Sequence, residues 1–252
     1  MLTLLRKELL EQWRTYRMLI VAAVMLVFGM TSPLLARYTR EIISQLPNSP
    51  PELITLIPPP TVADAVLQYA ENLVQFGAIL AILIPMGAVA QEWERGTAAM
   101  LLSKPVSRET FISAKFLALL ATFLIGVALA AAGGYYYTAF LFERLDLGGF
   151  VTLNGLLLLY LMVYVSITLF SSTLARSQVA AGGIAFGMLV VFGILRSIPQ
   201  VRDLLPAALI TWGQEVALGA STAIPWRPLI VSPLLILAFL IGAWAVFRRR
   251  EI

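Results

Sequence analysis

Six apolar runs, each close to 20 residues or longer, decide what this chain can fold into. They are residues 18–36, 71–90, 111–142, 150–174, 179–195 and 228–247. A helix rises 1.5 Å per residue, so about 20 residues cross the roughly 30 Å hydrocarbon layer of a bilayer. In lipid every backbone N–H and C=O must be satisfied within the protein, which leaves helices or a closed barrel. A barrel needs strands of about ten residues with alternating polarity, and the runs do not alternate. Charge agrees with this reading. Only 13% of the 252 residues are charged, against about 25% in a soluble domain. The chain reads as all-α: a polytopic membrane protein with a single domain over residues 1–252.

The polar stretches between the runs add detail. Over residues 1–17, Leu2, Leu5, Leu9 and Trp13 recur every three to four positions, with Arg6, Lys7, Glu8, Glu11 and Arg14 between them. That pattern predicts an amphipathic helix lying in the membrane interface. Residues 37–70 read as a polar, proline-rich loop holding two short helices, near residues 38–45 and 61–70, the second with a Thr61–Asp64 capping signal. Pro85 is expected to kink the second span. Gly126, Ala130 and Gly134 form a small-residue stripe on the third, suited to packing within the subunit. In the second long loop, residues 196–227, the stretch 204–218 is too apolar for an exposed loop and too short to span, which predicts a re-entrant or interface-lying pair of half-helices.

Six spans place both termini on one side. With the termini inside, twelve of the 18 Lys and Arg residues fall on inner segments and six on outer ones. The excess predicts cytoplasmic termini in a multi-pass protein of the cell's inner (plasma) membrane. Trp13, Trp93 and Trp244 then mark the inner interface, and Trp212 and Trp226 the outer. No cleavable signal peptide is expected, because the first 17 residues are too charged for an h-region.

Composition excludes several chemistries. The chain has no cysteine and no histidine, which removes disulfides, thiolate or imidazole metal sites, Ser–His pairs and Cys nucleophiles. Its three lysines, Lys7, Lys104 and Lys115, are followed by Glu8, Pro105 and Phe116, so no P-loop occurs. Deep polar residues are Gln75, Asn154, Ser166, Thr168 and Ser171, with no carboxylate at the midplane; Glu71 sits near a span end. That argues against intramembrane catalysis and against ion-coupled transport. The net charge of +4 lies at segment ends, as orientation requires, and is not a nucleic-acid surface. No catalytic residue, cofactor site or metal site is expected in this chain.

The most structured polar segment joins the second and third spans. Over residues 91–115, Gly96 breaks the preceding helix and Thr97 can cap a short one over 98–103. Pro105 stops that helix, and Ser107 caps the next with Glu109 in its first turn. The result is a helical knuckle that presents a face to a partner, or an ordinary loop with none. On the fifth span, Gly182, Gly183 and Gly187 form a small face that fits a subunit interface or internal packing.

These residues resemble a known family. Glu94-Arg95-Gly96-Thr97, then Leu101-Leu102-Ser103, then Pro105-Val106-Ser107-Arg108, with Lys115 opening the next helix, are similar to the E-x-G-T…LLS-x-PVSR…K signature of type-2 ABC transporter permeases. The subgroup includes the nitrous-oxide-maturation and sodium- or drug-efflux permeases. The resemblance implies a membrane subunit of an ABC exporter, working as a dimer, more readily a homodimer, with two copies of a separate ATP-binding subunit that holds ATP and magnesium. Residues 91–110 would be the coupling segment, with Glu94, Arg95, Gly96, Thr97, Met100, Leu101, Ser103, Pro105 and Arg108 meeting the ATPase. Residues 1–17 would be the connecting helix, and Gly182, Gly183 and Gly187 would fall at the dimer interface. Ala98-Ala99-Met100 depart from the family, many of whose members carry an acidic residue there. A gradient-driven transporter and a non-transport membrane scaffold stay open as alternatives.

Overall fold

The computed structural model describes residues 1–45, 58–94, 107–142, 145–220 and 223–249. All regular structure in these residues is helical: α1 (Leu2–Arg14), α2 (Arg17–Ser44), α3 (Val62–Leu83), α4 (Ala90–Glu94), α5 (Arg108–Leu141), α6 (Leu147–Leu174), α7 (Gln178–Leu195), α8 (Pro199–Arg202), α9 (Ala207–Ala217) and α10 (Trp226–Arg249). Six of them, α2, α3, α5, α6, α7 and α10, are long and apolar enough to cross a membrane. The short surface helix α1 meets α2 at Tyr16, whose φ of 60° turns the chain sharply.

Helix α6 is the hub. In its apolar window 72% of residues are buried, against 11% in α7 and in α10. It packs against α3, α5, α7, α9 and α10. Most of its hydroxyls are turned back on its own backbone: Ser166 to Val163 O at 2.7 Å, Thr168 to Tyr164 O at 2.8 Å, and Ser171 to Ile167 O at 2.8 Å. The donor protons of these groups are therefore used within the helix. Asn154 likewise donates to Phe150 O and accepts from the Tyr69 hydroxyl at 2.6 Å.

Helices α2 and α5 approach each other closely. A β-carbon placed on Gly29 would lie 2.6 Å from Ala130 O, and one on Gly126 would meet Val21 at 2.9 Å. Gly134 faces Tyr69 and Gly29. The Gly126–Ala130–Gly134 stripe is thus consumed inside the subunit, where small side chains let two backbones approach.

Three helix limits differ from the sequence-based expectation. The first run predicts a span ending at Ala36, but α2 continues to Ser44; no proline or glycine interrupts residues 37–44, so the helix runs on past its apolar part. The short helix over 61–70 and the span over 71–90 begin as one helix at Val62. Its start is a complete capping box: Thr61 Oγ1 accepts from Asp64 N at 3.3 Å, and the Asp64 carboxylate accepts from Thr61 N at 2.8 Å. The stretch between α2 and α3 is correspondingly shorter than 37–70. Finally, Pro85 does not kink a continuing helix. Helix α3 ends at Leu83, residues 84–89 form turns, and α4 restarts at Ala90.

That break is bridged from α6. Ser172 Oγ accepts from Val89 N and Ala90 N, each at 3.0 Å, and donates to Met86 O at 2.9 Å. One buried hydroxyl thus replaces helix hydrogen bonds lost at the proline. Ser172→Val should leave two buried N–H groups and a carbonyl unsatisfied and cost about 1–3 kcal/mol. A thermal midpoint equal to wild type for the purified variant would show that the bridge contributes nothing.

Candidate functional site

The residues that bracket the knuckle converge on one cluster of charges. Lys115, on the second turn of α5, is 3% exposed. Its Nζ lies 3.1 Å from Glu8 Oε2 on α1 and 2.8 Å from Glu92 Oε1 on α4. Lys7 extends the cluster, at 3.1 Å from Glu8, 3.4 Å from Glu11 and 3.8 Å from Glu92. Burial acts to lower the pKa of Lys7, but the carboxylates of Glu8, Glu92 and Glu11 outweigh it and leave the ammonium above its usual range. Lys7 and Lys115 together meet three carboxylates, those of Glu8, Glu11 and Glu92. Helix α1 is thereby bonded to the helix before the knuckle and to the helix after it.

The face of α1 that makes these bonds is its polar one. Glu8 and Gln12 are buried, whereas Leu2 is 82% and Trp13 62% exposed. Leu2 and Trp13, at the two ends of the apolar stripe of residues 1–17, therefore face away from the helix bundle.

Aromatic packing and backbone contacts surround the charges. Lys115 Nζ sits 4.9 Å from the Phe111 ring centre. Phe111 stacks on Phe247 of α10 at 5.0 Å, and Trp93 meets the same ring edge-on at 6.3 Å. Arg108 donates to Phe247 O at 2.9 Å and also to Arg248 O, placing its cation on the last carbonyls of α10, where a helix dipole favours positive charge. Glu94 accepts from Gln178 N at 3.4 Å, at the opposite, positive end of α7. Ser107 caps α5, with Thr110 N donating to its Oγ at 3.3 Å.

Of the residues singled out for ATPase contact, Glu94 and Arg108 thus anchor the two roots of the segment to α7 and α10. Arg95, Gly96, Thr97, Met100, Leu101, Ser103 and Pro105 lie outside the described residues. On α7, Gly182 faces Met86, at 3.0 Å from a placed β-carbon, so it packs within the subunit. Gly183 and Gly187 have open space within 4 Å.

Sequence reasoning missed the partners of Lys115. The signal was present: Lys115 is the only charge between residues 110 and 142. A lone lysine in an otherwise apolar helix needs a carboxylate, and Glu8 and Glu92 are among those in the polar segments assigned to the same side. Nothing in the residue order singled out Ser172, one hydroxyl among several on α6.

A second feature lies toward the other end of the bundle. A cavity of about 460 Å³ opens between α3, α6, α7 and the start of α9. Its walls are mainly apolar, with Gln75, Tyr160, Tyr164 and Arg196 among them. It adjoins a smaller chamber of about 110 Å³ that contains Glu71, Thr211 and Gln214.

Six helices long and apolar enough to cross a membrane, with a surface helix bonded to both roots of a polar connecting segment, describe a multi-pass membrane protein. The chain matches the family described as ABC-2 family transporter protein over residues 2–252, and it belongs to that family. It is also similar to the uncharacterized transmembrane protein YxlG of Bacillus subtilis (strain 168), 30% identical over 227 residues, covering 88% of this chain and 87% of that protein. The chain is therefore the membrane component of an ABC-2 family transporter, a family whose permeases typically pair with an ATP-binding subunit.

Proposed function

We propose that this permease exports its substrate outward with ATP hydrolysed, with magnesium, by two copies of a separate ATP-binding subunit. The observation that carries this reading is the ion cluster around Lys115. Residues 91–110 would form the coupling segment, its short helix over 98–103 seated on the ATPase and framed by Glu94 and Arg108. Movement of that helix reaches α3 through α4 and the Ser172 bridge, and reaches α5 directly. The cluster makes α1 move with both, so a push on the knuckle is delivered as one displacement and is not absorbed by hinges. Helix α1, with Leu2 and Trp13 exposed at the ends of its apolar stripe, then lies in the inner membrane interface as a connecting helix.

The positive-inside excess supports placing both termini and the knuckle in the cytoplasm. On that orientation α8 and α9 form the outer re-entrant element between the fifth and sixth spans. The open face of Gly183 and Gly187 suits a second copy of the chain, giving a homodimer with two ATPases.

Co-purification tests the reading. A tagged full chain, extracted gently, should carry a P-loop ATPase in equal amount, and changing Met100 and Leu101 to aspartate should release the ATPase or uncouple its hydrolysis from transport. An intact, monodisperse preparation with no ATPase would sink the export reading and return the choice to a gradient-driven transporter. Normal coupling in the Met100→Asp/Leu101→Asp variant would remove the coupling-helix assignment alone.

A further inference from the structure

The cavity beside α7 carries a charge pattern that specifies a ligand. The larger, apolar chamber and the smaller, polar one share Val74, Tyr160, Arg196 and Ala207 as walls, so they form one continuous cleft. The apolar part, at about 460 Å³, falls within the range of ligand sites, about 300–1,000 Å³. The polar part holds one cation, Arg196, and one carboxylate, Glu71. Both belong to the described residues, yet neither closes an ion pair with the other or with any other group. Both side chains are exposed at the mouth of the cleft, so a head group entering it can meet one charge of each sign. A purely anionic head group would meet Arg196 but be repelled by Glu71, and a cationic one the reverse.

We infer that this cleft binds a zwitterionic amphiphile whose phosphate meets Arg196, whose ammonium meets Glu71, and whose apolar tail runs between α3 and α7 along Ile79, Leu83 and Phe186. A guanidinium and a phosphate match as a bidentate, charge-assisted pair. The tail direction follows from the order of residues on α3: Glu71 is followed along the cleft by Val74, Ala78, Ile82 and Leu83. As the cargo of the transporter, this molecule rests on the export reading above; as a bound ligand, it needs only the cleft.

The test is retention by the full chain, purified in detergent and measured by native mass spectrometry. The probes are phosphatidylethanolamine, phosphatidylglycerol and soluble phosphoethanolamine. Wild type should retain phosphatidylethanolamine about tenfold better than phosphatidylglycerol and should not retain the soluble head group. Glu71→Gln should erase the preference between the two lipids. Arg196→Gln should weaken both by about tenfold, the size of one charge-assisted bond. Gly193→Leu should exclude both lipids while leaving the thermal midpoint unchanged, because Gly193 lines the cleft and a β-carbon there meets nothing within 4 Å. Equal retention of the two lipids by wild type would overturn the inference, as would a preference that survives Glu71→Gln. So would soluble phosphoethanolamine binding as well as the lipid, or a dimer whose second copy fills the cleft and shuts lipid out. The readout uses no nucleotide, so an ATPase that fails to co-purify removes the export reading and leaves this result untouched.

Discussion

Lys115→Met should destabilise the permease by about 3 kcal/mol, the low end for breaking a buried ion set, because it removes the buried ammonium that Glu8 and Glu92 share. Lys7 remains 3.1 Å from Glu8, but its side chain is 41% exposed and its distance to Glu92 is 3.8 Å, so water screens part of what it supplies. The loss should appear as a lower thermal midpoint of the purified protein. It should also appear as release of α1, seen as increased protease access at Arg6 and Arg14. Converting all three residues at once, Lys115→Met with Glu8→Gln and Glu92→Gln, should recover much of the stability, since a buried ion set replaced whole is often near neutral. Coupling of ATP hydrolysis to transport should not recover with it, because the rigid link between α1, α4 and α5 is gone. A single variant as stable as wild type would show that the cluster is a passive contact. A triple variant that transports normally would show that its rigidity is not used.

Gly29→Leu is the second large effect. A β-carbon at this position would stand 2.6 Å from Ala130 O and 2.7 Å from Ala130 Cα. Both are backbone atoms and cannot turn aside as a flexible side chain would. Helices α2 and α5 must separate, and the Val21, Met25 and Phe123 packing between them opens as well. The cost should reach or exceed the 1–3 kcal/mol typical of an overfilled core, read as a lowered midpoint or loss of a monodisperse peak. Gly187→Leu is the control. It makes the same chemical change on a helix of the same protein, but into open space. The stability of the single subunit should be unaffected, and any effect should fall on self-association. Equal effects from both variants would contradict the close approach of α2 and α5.

Why some of this was visible in the residue order and some was not has a physical basis. The six spans were legible because lipid imposes a length and a polarity on every crossing helix. The internal role of Gly126, Ala130 and Gly134 was legible because four-residue spacing puts them on one helix face. Helix ends were less so. Hydropathy marks where a segment stops being apolar, while a helix stops only where its hydrogen bonds do, so α2 outruns Ala36 and α3 starts ahead of Glu71. At Pro85 the direction of the error reversed. The apolar run continues, but the missing N–H ends the helix, and the hydroxyl that accommodates the break comes from Ser172, far along the chain. The buried face of α1 was the hardest to see. Amphipathicity locates an apolar stripe but not its partner, and here the bundle takes Glu8 and Gln12 while Leu2 and Trp13 face out. The residues with the family signature at 95–106 lie outside the described residues, so their role rests on the anchors at either side.

The bond between Glu8 and Lys115 joins positions 107 residues apart, and this has a consequence for biosynthesis. The ribosome delivers α1 first. Its carboxylate has no ammonium on α5 to meet until two spans and the first turns of the third have been made, and it meets that ammonium only if Lys115 arrives on the same side of the bilayer. A third span inserted upside down would strand Lys115 on the far side, with α1 left undocked and open to proteolysis. Closure of this one ion pair therefore acts as a record that the first half of the molecule has been threaded through the membrane the right way round.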